Sequence, residues 1–248
     1  MIAANPVRYA WPFVALVGVL SVAPAAAEEK TLTLDSRDIR SLKISAGGGF
    51  LHIEGVDGLD KIQVIADVNA DRDGYELSLD RAGDAAVLVS RMKAWSFLWF
   101  GAQRIDLTVR APARLKLDVE DGSGEIVLGG MKAAAVIRDG SGSTVVKDHG
   151  GSLELHDGSG GIDIQSVTGD VKIVDGSGGL SVKHVVGDVN ISDGSGSIEV
   201  GDVDGHVTIR DGSGGIDVDD VKRGLTIVSS GSGGLSTSRV QGGIDIDK

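Results

Sequence analysis

Residues 169–182 read GDVKIVDGSGGLSV, and residues 187–200 read GDVNISDGSGSIEV, which is the same pattern displaced by eighteen residues. In both stretches, apolar residues alternate with polar ones on either side of the tetrapeptide DGSG. This tetrapeptide occurs six times, always eighteen residues apart. A constant period of this length is typical of proteins that stack one structural unit on the next. The six copies begin at Asp121, Asp139, Asp157, Asp175, Asp193 and Asp211.

Two pairs of positions in each repeat are apolar when the aspartate is counted as position one. Positions six and eight read Ile162 and Ile164 in one repeat, and positions fifteen and seventeen read Val171 and Ile173. Alternation with a period of two indicates half-buried strands, and β-branched residues favour them. Because one repeat cannot bury its apolar face alone, the repeats must stack. The sequence therefore predicts an all-β fold, a β-solenoid similar to a parallel β-helix, with about seven regular rungs of eighteen residues.

The chain divides into three parts. Residues 1–27 contain one arginine, the apolar run FVALVGVLSVA and an A-x-A pattern ending at Ala27, which together predict a signal peptide. Residues 28–120 follow the repeat pattern only in part and lose it over 65–104, so we expect an irregular N-terminal β region or cap continuous with the solenoid. Residues 121–248 hold the regular repeats. Cleavage near Ala27 would place the protein in the periplasm or at the cell surface.

Composition excludes several kinds of chemistry. The chain has 248 residues and no cysteine, which rules out disulfides, thiolate metal sites and a cysteine nucleophile. Its 38 glycines recur at fixed spacing, which favours a repeat architecture over disorder. The formal net charge of -12 leaves no basic surface for nucleic acid, so we expect no nucleic-acid partner.

The repeats at 169–182 and 187–200, together with LTVRAPARLKLDVEDGSG at 107–124, resemble a family of secreted bacterial proteins labelled "putative adhesins". Their β-strand repeats have the form GDVxIxxGSGxIxV, and the resemblance covers most of residues 40–248. It implies a β-solenoid in the bacterial cell envelope and carries over no catalytic residue. We therefore expect a non-catalytic protein with a structural or adhesin-like interaction role, whose partner is an unidentified envelope protein or surface.

The DGSG tetrapeptide predicts a corner of the backbone. Glycine at positions two and four permits positive φ angles, and aspartate and serine can hydrogen-bond to the turn. A second corner is expected near position thirteen, which is glycine in four repeats: Gly151, Gly169, Gly187 and Gly205. The alternative is a calcium-linked surface protein, since stacked aspartates ~4.8 Å apart would repel one another and attract cations. DGSGGIDIQ is similar to a calcium-binding nonapeptide, but its Asp position falls on the core residue Ile162.

Two enzymatic alternatives find less support in the sequence. A serine nucleophile needs a base held beside it, yet the histidines of the repeats stand at four different positions: His149, His156, His184 and His206. A polysaccharide-active β-helix enzyme needs clustered acids, and Asp148, Asp202 and Asp220 do share position ten. However, residues 121–248 contain no aromatic side chain on which a sugar ring could stack. We therefore assign no catalytic residue, no cofactor and no metal ligand.

One stretch, AWSFLWFGAQ, departs from the pattern and holds Trp95, Phe97, Trp99 and Phe100. These aromatics either cap the N-terminal end of the solenoid or form an exposed loop that docks a partner. Clustered Trp and Phe supply a large contact area. As the docking hypothesis, we assign these four residues to partner binding, with peripheral membrane contact through 95–100 as one form of it. The edge left by the final repeat also predicts end-to-end association of two copies.

Overall fold

The computed structural model describes residues 28–71, 73–93 and 103–247. Every regular element in these ranges is a β-strand, so the all-β fold class predicted from the repeats is confirmed. None of the described residues belongs to a helix that is long and apolar enough to cross a membrane. The predicted signal peptide, residues 1–27, lies outside the described residues.

Strands occupy most of the described chain. Before the regular repeats they are β1 (Glu28–Asp35), β2 (Ser41–Ala46), β3 (Gly49–Val56), β4 (Lys61–Asn69), β5 (Tyr75–Ala82), β6 (Ala85–Met92), β7 (Arg104–Pro112) and β8 (Lys116–Asp121). Within the repeats they are β9 (Gly124–Gly129), β10 (Ala135–Asp139), β11 (Gly142–His149), β12 (Leu153–Asp157), β13 (Gly160–Val167), β14 (Val171–Asp175), β15 (Gly178–Val185), β16 (Val189–Asp193), β17 (Gly196–Val203), β18 (His206–Asp211), β19 (Ile216–Val221), β20 (Gly224–Ser230), β21 (Leu235–Val240) and β22 (Ile244–Ile246).

Two eleven-stranded sheets face each other along the molecule. Sheet A takes the odd-numbered strands from β9 to β21, and sheet B takes the even-numbered strands from β8 to β22. Neighbouring strands in this region are parallel, and residues pair with those eighteen positions later, as Val171 does with Val189, or nineteen positions later in the last rung. Each rung therefore contributes one strand to each sheet. The predicted β-solenoid with rungs of about eighteen residues is confirmed over 117–246.

The N-terminal strands extend the same two sheets. Sheet A continues from β9 through β3, β7 and β4 to β1, and sheet B continues from β8 through β2 and β6 to β5. The pairs β7–β4, β4–β1 and β6–β5 are antiparallel. The repeat pattern is lost over 65–104, where β4 pairs antiparallel with β1 and β7, and β5 pairs antiparallel with β6, instead of forming a parallel rung.

The hydrophobic core lies between the two sheets and runs the length of the solenoid. In one rung, Val171, Ile173, Leu180 and Val182 are each at most 3% exposed. Burying one such side chain stabilises the fold by about 1.5–3 kcal/mol. Since the same columns are buried in the rungs above and below, each rung is stabilised mainly by its neighbours.

The DGSG corner contains two glycines that are required for different reasons. The glycine at position four has a positive φ, +150° at Gly178, which side chains rarely adopt. The glycine at position two has no positive φ, so the sequence-based reason for it was wrong. A Cβ on Gly176 would instead lie 2.4 Å from the carbonyl oxygen of Gly158 in the preceding rung. Close stacking of corners thus excludes a side chain there.

At the second corner, too, glycine is required by a close contact and not by a positive φ. Glycine at position thirteen is not in the left-handed region, but a Cβ on Gly169 would lie 2.5 Å from the backbone of Gly151. The left-handed residue of this corner is at position ten, and it is not glycine. Aspartate and histidine tolerate this conformation better than most residues. The φ angles are +50° to +62° at Asp148, Ser166, His184, Asp202, Asp220 and Arg239.

Stacking becomes less regular towards the last described rung. The pairing of β18 with β20 shifts by one residue after Ile209, so that Arg210 lies opposite Ser229 and Val228 is the extra residue. Ile244 and Ile246 of β22 are 47% and 44% exposed at the edge of sheet B. The apolar columns therefore continue to the edge, where their side chains are accessible.

A pair of adjacent glycines tests the close stacking of the corners. A Cβ on Gly160 would lie 1.5 Å from the carbonyl oxygen of Gly142, and φ at Gly160 is +147°. We expect Gly160→Ala to lower the free energy of unfolding by at least about 2 kcal/mol. Gly161→Ala is the matched control, because a Cβ there meets no atom within 4 Å. Urea unfolding measures both, and equal stability of the two variants would contradict the stacking geometry.

Candidate functional site

Hydrogen bonds at the DGSG corners join each turn to itself and to its neighbours. In one corner, Oδ1 of Asp175 accepts a hydrogen bond from the backbone N–H of Ser177 at 3.2 Å. The backbone N–H of Gly194 donates to the carbonyl of Asp175 at 3.0 Å, and that of Gly178 donates to the carbonyl of Ser195 at 3.0 Å. The same contacts recur along the corner column. The aspartate and serine therefore build the turn, as the sequence predicts.

Burial of the six corner aspartates is the feature that the sequence analysis missed. They stand in register along sheet B and are between 0% and 7% exposed. Oδ2 of each has no hydrogen-bond partner among the described residues, and neither does Oδ1 of Asp121. The signal was present in the pattern, since position one continues the inward alternation of Val171 and Ile173 to Asp175. We name these six residues the aspartate column: Asp121, Asp139, Asp157, Asp175, Asp193 and Asp211.

The aspartate column has raised pKa values throughout. Burial is the main cause in all six, because it disfavours the charged carboxylate. Repulsion from the next carboxylate adds to it and, together with burial, brings the pKa of Asp121 to about 7 and the pKa values of Asp157 and Asp193 to about 6. The hydrogen bond from the corner backbone acts in the opposite direction but is weaker.

Calcium coordination at the corners lacks a full set of ligands in the described part of the chain. Calcium takes six to eight oxygen ligands. The carbonyl oxygen of the corner aspartate already accepts an N–H from the next rung, as at Asp175, and that of the corner serine accepts one from the preceding rung, as at Ser195. No group of three or more His, Cys, Asp or Glu residues within the described ranges is arranged to hold a metal ion.

The histidines of the repeats bind groups other than the corner serines. Nε2 of His156 lies 3.0 Å from Glu154, Nδ1 of His184 lies 2.6 Å from Asp202, and Nε2 of His206 lies 3.0 Å from Thr226. These contacts lie on outer surfaces, and none of them is to a serine of a DGSG corner.

His149 occupies a core position that is valine in the four following rungs. It is 1% exposed, and its Nε2 lies 3.2 Å from the carbonyl of Ser152. Nδ1 has no hydrogen-bond partner among the described residues. Burial lowers the pKa of this imidazole, because the charged form would lose its hydration. His149 is thus a half-satisfied core residue.

Carboxylates of position ten border a shallow groove of about 610 Å³ on sheet A. Asp202 and Asp220 lie there beside Glu199, Asp217 and Asp219. Most are paired: Lys183 with Glu199 at 2.6 Å, His184 with Asp202, and Arg239 with Asp219. Lys222 binds Asp220 and lowers its pKa. A glycosidase acid requires a raised pKa instead, so this groove does not supply one at Asp220.

The four aromatic residues assigned to partner binding, Trp95, Phe97, Trp99 and Phe100, lie outside the described residues. Their place in the chain is nevertheless defined by its neighbours. β6 ends at Met92 and β7 begins at Arg104, and these strands pair with β2 and β3 of the next rung. There the chain passes from one strand to the other through the short corner at 47–48. In the sequence, residues 94–102 stand between β6 and β7, the strands that correspond to β2 and β3.

Comparisons with known proteins find similar structures only. No protein-family model and no curated protein matches the chain. A solved "putative adhesin" from Parabacteroides merdae is 13% identical and covers 89% of this chain and 97% of its own, with a TM-score of 0.41. A "putative cell adhesion protein" from Clostridium sporogenes is 11% identical and covers 89% and 100%, with a TM-score of 0.37. The name of the first of these structures is the label of the family that the repeats resemble.

His149 provides a test of the core. His149→Val restores the apolar column and removes the unpaired Nδ1, so we expect the free energy of unfolding to rise by about 1 kcal/mol at pH 7. Because the folded-state pKa of His149 is lowered, its neutral form stabilises the fold above the ordinary value of 6.5 and this contribution is lost as the pH falls. The advantage of the variant should therefore widen from pH 7.5 to 5.5.

Urea unfolding at several pH values measures this difference. Val167→His, the reverse change in the next rung of the same column, is the matched control and should lower stability. A His149→Val protein less stable than wild type at every pH would show that the imidazole packs better than its unpaired nitrogen suggests.

Proposed function

We propose that the protein is a non-catalytic interaction protein of the bacterial cell envelope, which acts in the periplasm or at the cell surface after cleavage near Ala27. The solenoid is the scaffold, and its partner is an envelope protein or surface. The sequence of residues 1–27 supports export. The net charge of -12 makes nucleic acid an unfavourable partner.

The observation that best supports this proposal is where residues 94–102 interrupt the repeat. In the described rungs, His156, His184 and His206 are engaged in hydrogen bonds or ion pairs on the outer surfaces. Residues 94–102 stand in the sequence between β6 and β7, and they concentrate Trp and Phe in a chain with only 4% aromatic residues. Insertions in one corner of a solenoid are tolerated because stacking depends on the strands.

The described outer faces of the solenoid are mainly polar. Salt bridges run along them between neighbouring rungs, such as Lys172–Glu154 at 2.8 Å and Lys183–Glu199 at 2.6 Å. Exposed apolar side chains are few among the described residues and include Val174 and Val186 at 38% and 52%. An aromatic docking segment at one end would therefore stand out as the apolar part of a polar rod.

A crosslinking pull-down from cell envelope tests the proposal. The bait is the whole chain, compared with a variant in which Trp95, Phe97, Trp99 and Phe100 are changed to Ala. We expect the wild type to enrich one envelope component at least tenfold over the variant, because the docking area is lost. Circular dichroism verifies that the variant keeps its β structure.

The matched control is Val174→Ala with Val186→Ala, which removes exposed apolar groups from the solenoid itself. Capture that is equal in all three proteins would move the binding surface from the segment to the outer faces. Cleavage of an envelope polysaccharide by the purified protein would overturn the non-catalytic role. Peripheral membrane contact through 95–100 and end-to-end association of two copies stay predictions, which vesicle flotation and sedimentation would test.

A further inference from the structure

Stacking of identical corners places the carboxyl groups of the aspartate column in a line. The aspartates of the column are in register, so neighbouring members lie ~4.8 Å apart. None of them forms a salt bridge in the described structure. The column ends on neutral residues, since Asp121 pairs with Ala46 of β2 and Asp211 pairs with Ser230 of β20.

Charged groups on the neighbouring elements lie on the outer surfaces. Sheet B presents charged or titratable residues one and three positions before the corner, those at three being Asp118, Glu154 and Lys172, and sheet A presents Glu125 one position after Gly124. Arg138, the basic residue beside Asp139, pairs with Asp118 at 2.7 Å. Across the core, position six is apolar apart from Thr144. The flanking residues of sheet B are Glu120, Arg138, His156 and Arg210.

In the described structure, one carboxylate oxygen of each aspartate in the column has no hydrogen-bond partner. Each aspartate of the column is at least nine-tenths buried, and Oδ2 of each has no hydrogen-bond partner among the described residues. A buried ionised oxygen without a donor is strongly destabilising. A proton on one Oδ2 removes its charge and with it the repulsion from the carboxylate of the next rung. Carboxylates held close together in proteins share protons for this reason.

We propose that the aspartate column is a proton-binding site, in which neighbouring carboxyl groups along the solenoid share protons at neutral pH. The ligand is the proton because the corner carbonyls are already hydrogen-bonded and no described group forms a metal cage. The proposal is independent of the partner and of the aromatic segment, and its consequence is a solenoid that gains stability in a mildly acidic environment.

The direction of the pH effect follows from the raised pKa values. A carboxyl whose pKa is raised on folding stabilises the folded state fully below its unfolded value, which is about 3.9 for aspartate. This contribution is lost as the pH rises through about 6 for Asp157 and Asp193 and about 7 for Asp121. Exposed Asp35 and Glu154 have pKa values lowered to about 2 by Arg37 and Lys172, so their opposite effect is confined to lower pH.

Urea unfolding of the whole chain between pH 4.5 and 8 at constant ionic strength is the test. Each proton held only by the folded state raises the unfolding equilibrium constant about tenfold per pH unit. We expect a rise of at least tenfold between pH 5 and 7. Stability that is constant or increases over this range would overturn the proposal.

Asp139→Asn with Asp193→Asn places a neutral amide, a permanent donor, beside every remaining carboxylate of the column. We expect this double variant to lose most of the pH-dependent rise and to be more stable than wild type at pH 8. The control Asp217→Asn changes an exposed aspartate on the outer face of sheet A and should keep the full rise. A double variant with an unchanged rise would place the titrating groups elsewhere.

Carbon-13 NMR of the side-chain carboxyls in wild type keeps the proposal testable if the double variant does not fold. We expect at least three aspartates to titrate above pH 5.5, and a full set titrating near pH 4 would overturn it. The last experiment measures urea unfolding at pH 8 in calcium chloride and in EDTA. Stabilisation by calcium that disappears in the double variant would assign the column to metal cations and overturn proton binding.

Discussion

In-register stacking of parallel strands governs this molecule, because every residue stands directly over its equivalent in the rung below. The backbone hydrogen bonds that join the rungs allow only one spacing, ~4.8 Å. At that distance valine and isoleucine form continuous buried columns, as at Val171 and Val189. The same spacing leaves no room for a Cβ at Gly176 or Gly178, where the corners approach each other.

Stacking also places the charged aspartate of one corner next to the same aspartate in the neighbouring rungs. An aspartate that accepts the N–H of Ser177 makes a good turn, but its copies then form a buried line of like charges. On the outer faces, repulsion between like charges is avoided because residues of opposite charge occupy neighbouring rungs, as Glu154 and Lys172 do. Inside the corner a second side chain cannot enter, so a proton is the smallest available counter-charge.

Irregular features concentrate where stacking is relieved. At the N-terminal end, β4 and β5 run antiparallel and extend the sheets without another rung. At the other end, Val228 interrupts the register. The central rungs have a neighbour on both sides, so departures from the repeat are accommodated more easily near the two ends of the sheets.

Local alternation determined the strands, the two-sheet solenoid and the DGSG corner, because the side to which a residue points within a strand depends only on its immediate neighbours. The sequence also located the aromatic stretch. Only the tertiary structure decided the close approach that requires Gly176 and Gly169, the left-handed residue at position ten and the unpaired atoms of Asp175 and His149. The close approaches arise from contacts between residues eighteen positions apart, which the pattern within one repeat does not contain.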